Sequence, residues 1–265
     1  MEPKTIVSLS FDDGREDVYR NAYRIMKKYN LTGTLHATTG YVDGTWENMQ
    51  WRTARAPVTI DQIKEISKYG FEISSHGDRH ITEKNDLNMS IHKLQEWGVI
   101  NKRVGFSIPC SCLSEPDRTS FVDYLRTSDV AYMRGGRNPE CYSYKSKIFY
   151  VCYNITKMQP FYYLFNRWNC IDIGNRKLNP YDLPSIVIRR GDRAGVITKF
   201  IKRNKGRWII LMFHGIQNRT EDTYGKDVWC WDAYEFEKLC ADLNAMAAGG
   251  ELSVEPIRDV IDKFQ

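Results

Sequence analysis

No stretch of this 265-residue sequence approaches the ~18 consecutive apolar residues of a membrane-spanning helix, so no membrane span is expected. The opening, MEPKTIVSLSF, lacks a secretory hydrophobic region, because charged residues follow within about ten positions. A cytoplasmic location is the expectation, with a truncated secreted form as the alternative. The seven cysteines are odd in number and include no Cys-x-x-Cys pair. That argues for free thiols over a disulfide framework or a thiolate zinc site. One-sided charge is scarce too. The net charge is +5, and the densest basic run, KRNKGR at 202–207, suits a solvated helix end, so nucleic acid is not an expected partner. No repeat, low-complexity tract or linker interrupts the chain. One α/β domain over 1–265 is the simplest organisation, and nothing in the sequence points to an oligomeric state.

What is present is an alternation of strand-like and helix-like runs. TIVSLSF is followed by EDVYRNAYRIMKKYN, where Val18, Ala22, Ile25, Met26 and Tyr29 recur at helical spacing. GTLHATT, FEISS, VGFSIP, VAYMR, WIILMF and LSVEPI read as further strands, with helices between most of them. Thr59 and Gln62 form a capping box for a helix ending at Gly70. In the less regular stretch 138–185, IFYVCYNI reads as a strand, and a helix is expected near 184–203. Repeated βα units imply a parallel sheet, open or closed into a barrel. The loop at 40–57 is long for an ordinary connection, and such loops are often functional.

Four chemically capable stretches fall at the C-terminal ends of predicted strands: FDDG, SHGDRH, SIPC and HGI. In a β/α barrel those ends share the face where active sites sit. His76 and His80 have the spacing that a helical turn would place on one side, able to grip one ion. Two imidazoles and a carboxylate suit zinc or a similar first-row divalent ion. Asp12 or Asp13 can supply the carboxylate, and the other is then free to act as general base on metal-activated water. An ion also cancels the repulsion between neighbouring carboxylates. The plainer alternative is a solvated surface turn. His214 follows an apolar strand, where it is either a satisfied core residue or an acid for a leaving amine.

These residues resemble the polysaccharide deacetylases with the NodB homology domain, carbohydrate esterase family 4. SFDDG matches the family's TFDDG, HGDRH matches the spacing of its His-[Ser/Thr]-x-x-His, and LMFHGI resembles its Leu-x-His motif. The resemblance spans roughly residues 5–215. It implies a distorted (β/α)7 barrel of one domain that removes acetyl groups from an N-acetylated glycan or aminosugar. On that resemblance Asp12 is the base and Asp13, His76 and His80 hold the metal, most simply Zn2+, with Co2+, Ni2+, Fe2+ or Mn2+ as alternatives. His214 is the acid, and Pro109 with the backbone N–H of Cys110 serves the substrate and oxyanion.

The third motif departs from the family. Ser107 stands where an arginine paired to the base is usual, and Cys110 replaces a tyrosine. Arg134 or Arg137 in MRGGR could restore the charge, with a solvated turn as the equal alternative. Asp172 is the candidate for the fourth-motif aspartate, and Gly77 replaces Ser/Thr after the first histidine. Cys110 and Cys112 invite a thiol-nucleophile reading, against which no histidine is adjacent and a buried thiol is inert. Trp46, Trp51, Trp229 and Trp231 are either sugar-stacking faces or ordinary packing. Two further functions stay open: a cyclic imide or amide hydrolase on the same fold, and a carbohydrate-binding relative without turnover.

Overall fold

The structure, a computed structural model, describes residues 4–46, 56–100, 103–111, 113, 115–135, 144–174, 178–227 and 229–264. The β-branched, apolar run Thr5–Phe11 forms strand β1, buried along its whole length. A strand buried on both faces belongs at the centre of a parallel sheet covered by helices. The others follow in chain order: β2 Thr34–Ala37, β3 Glu72–Ser75, β4 Val104–Ser107, β5 Val130–Gly135, β6 Ile171–Asp172, β7 Leu183–Pro184, β8 Ile186–Val187, β9 Arg207–Phe213, β10 Gly215–Gln217, β11 Cys230–Asp232 and β12 Leu252–Val254.

The main sheet runs β9-β1-β2-β3-β4-β5-β7, with β8 back on β9 and β12 on β1. Every pairing among these is parallel, and β6 alone lies antiparallel on β9. Only Ser185 separates β7, which pairs β5, from β8, which pairs β9. Leu183–Val187 is therefore one broken strand that spans the seam and brings the sheet to a nearly closed barrel. Pro184 has no N–H to donate, which is one reason the ladder breaks there. The α/β barrel-like fold expected from the sequence is borne out.

Side-chain alternation divides the apolar residues into two clusters. Val7, Leu9 and Phe11 face outward into the main core beneath the helices. Ile6, Tyr132, Trp208 and Ile210 face the barrel interior, where Ile257, Val260 and Ile261 of the closing helix Ile257–Phe264 plug its end. The Thr59–Gln62 capping box is present in both directions, at 3.2 and 2.9 Å, and the helix Ile60–Tyr69 ends at left-handed Gly70.

Two expectations are corrected. IFYVCYNI lies within the helix Tyr144–Thr156. Its β-branched and aromatic composition suggested a strand, but Ile148, Val151 and Ile155 recur at helical spacing and share an exposed face. The helix expected near 184–203 begins only at Ala194, after the broken strand. No helix among the described residues is long and apolar enough to cross a membrane. Cys152, Cys170, Cys230 and Cys240 are free thiols, whereas Cys112, Trp51 and Arg137 lie outside the described residues.

Candidate metal centre

The ends of β1, β3, β4 and β9 carry Asp12, His76, Pro109 and His214 on one face of the barrel. β1 leaves the sheet through Asp13 and Gly14, both left-handed at φ +80° and +82°. Aspartate tolerates that region better than most residues, and glycine enters it freely. The turn places both carboxylates in the interior, each about 1% exposed.

His76 and His80 converge through a loop and not through the helical turn their spacing suggested. Gly77 bends it at φ +79°, where a Cβ would lie 2.5 Å from Asp86 Oδ2. The Ser/Thr usual at this position has no room here. Asp86 anchors the loop by accepting the backbone N–H groups of Asp78 at 2.8 Å and Arg79 at 3.0 Å. His76 Nδ1 lies 2.9 Å from the carbonyl of Ser107, so it carries the proton and leaves Nε2 as a lone pair. Burial pushes His76 down to about 4, so its imidazole is neutral at neutral pH.

Asp13 Oδ1 lies 3.6 Å from Nε2 of His76 and 3.8 Å from Nε2 of His80. One ligand atom from each of the three residues falls within 4.8 Å of the others. Metal–ligand bonds of about 2.0–2.2 Å at tetrahedral angles separate ligand atoms by roughly 3.3 Å. The cluster, at up to 4.8 Å, is wider than that, so the three side chains would draw together around an ion. Its donor set, two imidazole nitrogens and a carboxylate oxygen, fits a first-row divalent ion.

Asp12 sits beside this cluster with different partners. Arg134, itself fully buried, donates from Nη2 to Asp12 Oδ1 and to Ser107 Oγ, and from Nη1 to Ser185 Oγ at 3.1 Å. Ser107 Oγ donates to Asp12 Oδ2 at 3.3 Å. Burial, the largest influence, would raise the Asp12 pKa, but the Arg134 charge together with His76, His36 and His214 outweighs it and holds the carboxyl well below the usual range. The arginine missing from β4 thus arrives from the neighbouring strand. Ser107 and Arg134 are register partners across β4 and β5.

His214 follows β9 with its Nδ1 buried and without a hydrogen-bond partner among the described residues, and its ring lies 5.2 Å from that of Trp229. Trp46 stacks near His80 at 6.4 Å. Trp231 is buried packing that donates Nε1 to the Asp192 carbonyl at 2.8 Å. Pro109 is buried, and Cys110 is exposed in the turn after β4, with φ +57°. Asp172 does not join the site. It lies on β6 opposite Arg207, at the start of β9 and so at the other end of the barrel, because β6 runs antiparallel. Sequence reasoning missed the buried His36 and Tyr132 and the half-buried Glu72, polar groups inside the barrel. The available signal was a histidine at the inward-facing position of the alternating run TLHA.

The fold is shared with solved members of carbohydrate esterase family 4. The Xyl-CE4 domain of a multidomain xylanase from the hindgut metagenome of Trinervitermes trinervoides superposes with a TM-score of 0.51 at 10% identity, covering 98% of this chain and 91% of that one. A family 4 acetyl xylan esterase from Clostridium thermocellum, solved with a cobalt ion, gives 0.50 at 12%, covering 97% and 91%. A family 4 pseudoenzyme from Bacillus anthracis gives 0.52 at 12%, covering 99% and 67%.

At the sequence level, residues 1–114 match the family model described as Polysaccharide deacetylase, which bears out the motif resemblance over that part of the chain. The poly-β-1,6-N-acetyl-D-glucosamine N-deacetylase of Staphylococcus aureus (strain MRSA252) is 35% identical over 88 residues, 32% of this chain and 28% of its own. The Staphylococcus epidermidis protein of the same name is 27% identical over 93 residues, 35% and 31%. The matched stretch spans less than a third of these relatives' length.

Proposed function

We propose that the chain, acting as one unit over 1–265, is a metal-dependent hydrolase that removes N-acetyl groups from an N-acetylated sugar or polysaccharide. The observation that carries this reading is the Asp13–His76–His80 cluster beside an Asp12 carboxylate paired with buried Arg134. The relatives' names support a polymer of N-acetylglucosamine as the substrate class. A divalent ion, zinc foremost, held by Asp13, His76 and His80 would supply Lewis acidity and make nearby water a better nucleophile.

The chain's own residues do the rest. Asp12 accepts the proton of the attacking water, with Arg134 keeping it ionised. His214, across the site, gives a proton to the departing amine nitrogen. The backbone N–H of Cys110, in the turn begun by Pro109, faces the developing oxyanion. Trp46 and Trp229, beside His80 and His214, offer flat faces to a sugar ring.

The test is metal content and acetate release on a panel of N-acetylated oligosaccharides, for wild type and Asp12→Asn. The wild type is expected to bind about one ion per chain and release acetate. The variant should keep the ion and lose about 10²–10⁴-fold in rate. Loss of the ion in Asp12→Asn would overturn the division of labour between the two aspartates. An ion bound without acetate release from any substrate would overturn the activity.

A further inference from the structure

Beneath Asp12, inside the barrel, lies a second, half-buried carboxylate, and a chain of hydrogen bonds leads back from it toward the site. Glu72 on β3 accepts at Oε1 from Tyr132 Oη and Ser74 Oγ, each at 2.7 Å. At Oε2 it accepts from Thr34 Oγ1 at 2.8 Å and the backbone N–H of Arg258 at 2.9 Å. Ser74 and Thr34 each already receive a backbone N–H, from Gly105 at 3.2 Å and Ile257 at 3.0 Å, so their own protons point to Glu72. The phenol of Tyr132 has one proton, and Glu72 takes it. Its oxygen must then accept from His36 Nε2, 3.1 Å away. His36 is buried and neutral, with its pKa held well below the ordinary value by burial, so it carries a single ring proton. That proton is on Nε2. Nδ1 is left as a lone pair, accepting from Ser10 Oγ at 3.2 Å and facing Asp12 Oδ1 at 3.7 Å, beyond hydrogen-bond reach.

We propose that Glu72 is a positioning residue that acts through Tyr132 to fix the tautomer of His36, so that Arg134 alone donates to the Oδ1 side of Asp12. The opposite tautomer would turn an N–H toward Oδ1. It would draw the carboxylate away from Arg134 and weaken it as a proton acceptor. The backbone is built around this relay. A Cβ at Gly105 would lie 2.1 Å from Cζ and 2.3 Å from Oη of Tyr132, so β4 gives up a side chain where the phenol crosses the barrel. Two of the donors that hold the far end in place trace to Ile257 and Arg258, the first turn of the closing helix. The effect on rate rests on the deacetylase reading; the tautomer does not.

The test is 15N NMR of histidine-labelled full-length protein, His36 being assigned by loss of its signals in His36→Gln, together with kcat, KM and metal content. Wild type should show His36 protonated at Nε2 and bare at Nδ1. In Tyr132→Phe the proton should move to Nδ1. Acetate release should then lose about ten- to a hundredfold in kcat, with KM and ion content unchanged. Glu72→Gln gives the same readout should Tyr132→Phe fail to fold. A wild-type His36 protonated at Nδ1, or a tautomer unmoved by both variants, overturns the relay. A relocated proton with unchanged kcat overturns its positioning role. Absence of acetate release by wild type would instead sink the deacetylase reading, with the NMR result still deciding the relay.

Discussion

At the site end of the barrel, Asp12 faces a guanidinium; at the other end, Glu72 faces four neutral donors. The two belong to strands of one sheet, Asp12 fully buried and Glu72 half-buried, yet their pKa values move in opposite directions. Burial raises both, but only at Asp12 do a full positive charge and three neighbouring imidazoles together overcome it, and Glu72 stays above the ordinary value despite its hydrogen bonds. A fixed cation stabilises a buried anion more than neutral dipoles do. The two solutions suit different work. Glu72 has both oxygens saturated and can only hold structure. Asp12 has Oδ1 tied to Arg134, while Oδ2 keeps only a 3.3 Å contact with Ser107 and can turn to a substrate.

Removing the cation should break this contrast with the largest effect. Arg134→Met leaves Asp12 buried and unpaired, for an expected loss of about 3–5 kcal/mol in denaturant titrations. The pH dependence should also change sign at this residue. In wild type the folded-state pKa of Asp12 lies below the unfolded value of about 3.9. Its contribution to stability is therefore complete above that value and drains away as pH falls below it. In the variant the largest opposing charge is gone, only His76, His36 and His214 still oppose burial, and the folded-state value rises. The Asp12 contribution is then present in acid and is lost as pH climbs through the shifted range. Denaturation of chelator-treated protein from about pH 3 to about pH 7 reads this directly. Parallel profiles for variant and wild type would show that Arg134 is not what holds Asp12 charged.

Gly105→Ala attacks the opposite end. The added methyl meets the Tyr132 ring, and such overpacking is expected to cost about 1–3 kcal/mol, with a matching shift of the His36 signals. An unperturbed His36 would mean that Tyr132 moves aside without breaking its contact. Thr59→Ala is expected to have the smallest effect. It removes a helix cap whose hydrogen bonds run to Gln62 and to neither carboxylate, for about 1 kcal/mol of stability and no change in kcat. A change in kcat there would mean that global stability, and not the two barrel ends, governs activity.

The N-terminal half of the chain was legible because its residues announce their own roles. TIVSLSF could be little but a buried strand, and a charged pair straight after it marked a strand end. The segment from 144 to 187 was harder. Its helix carries strand-like residues, and a strand interrupted by Pro184 gives too short a run to register as one. Arg134 could be named as a substitute for the missing third-motif arginine, but not preferred over Arg137 or a solvated turn. Nothing local to MRGGR says which residue faces Ser107. Asp172 was misplaced for a related reason, since an antiparallel edge strand puts its end at the wrong face of the barrel.

By itself, then, the sequence determined which groups are chemically able to act and that they stand at strand ends, because residue type and local periodicity are written in the chain. The tertiary structure decided which of them meet. Closure of the sheet through Leu183–Val187, the β4–β5 register that pairs Ser107 with Arg134, and the bend at Gly77 that brings His80 to His76 set those distances. Each depends on residues far apart in sequence, whose separation only the folded sheet specifies.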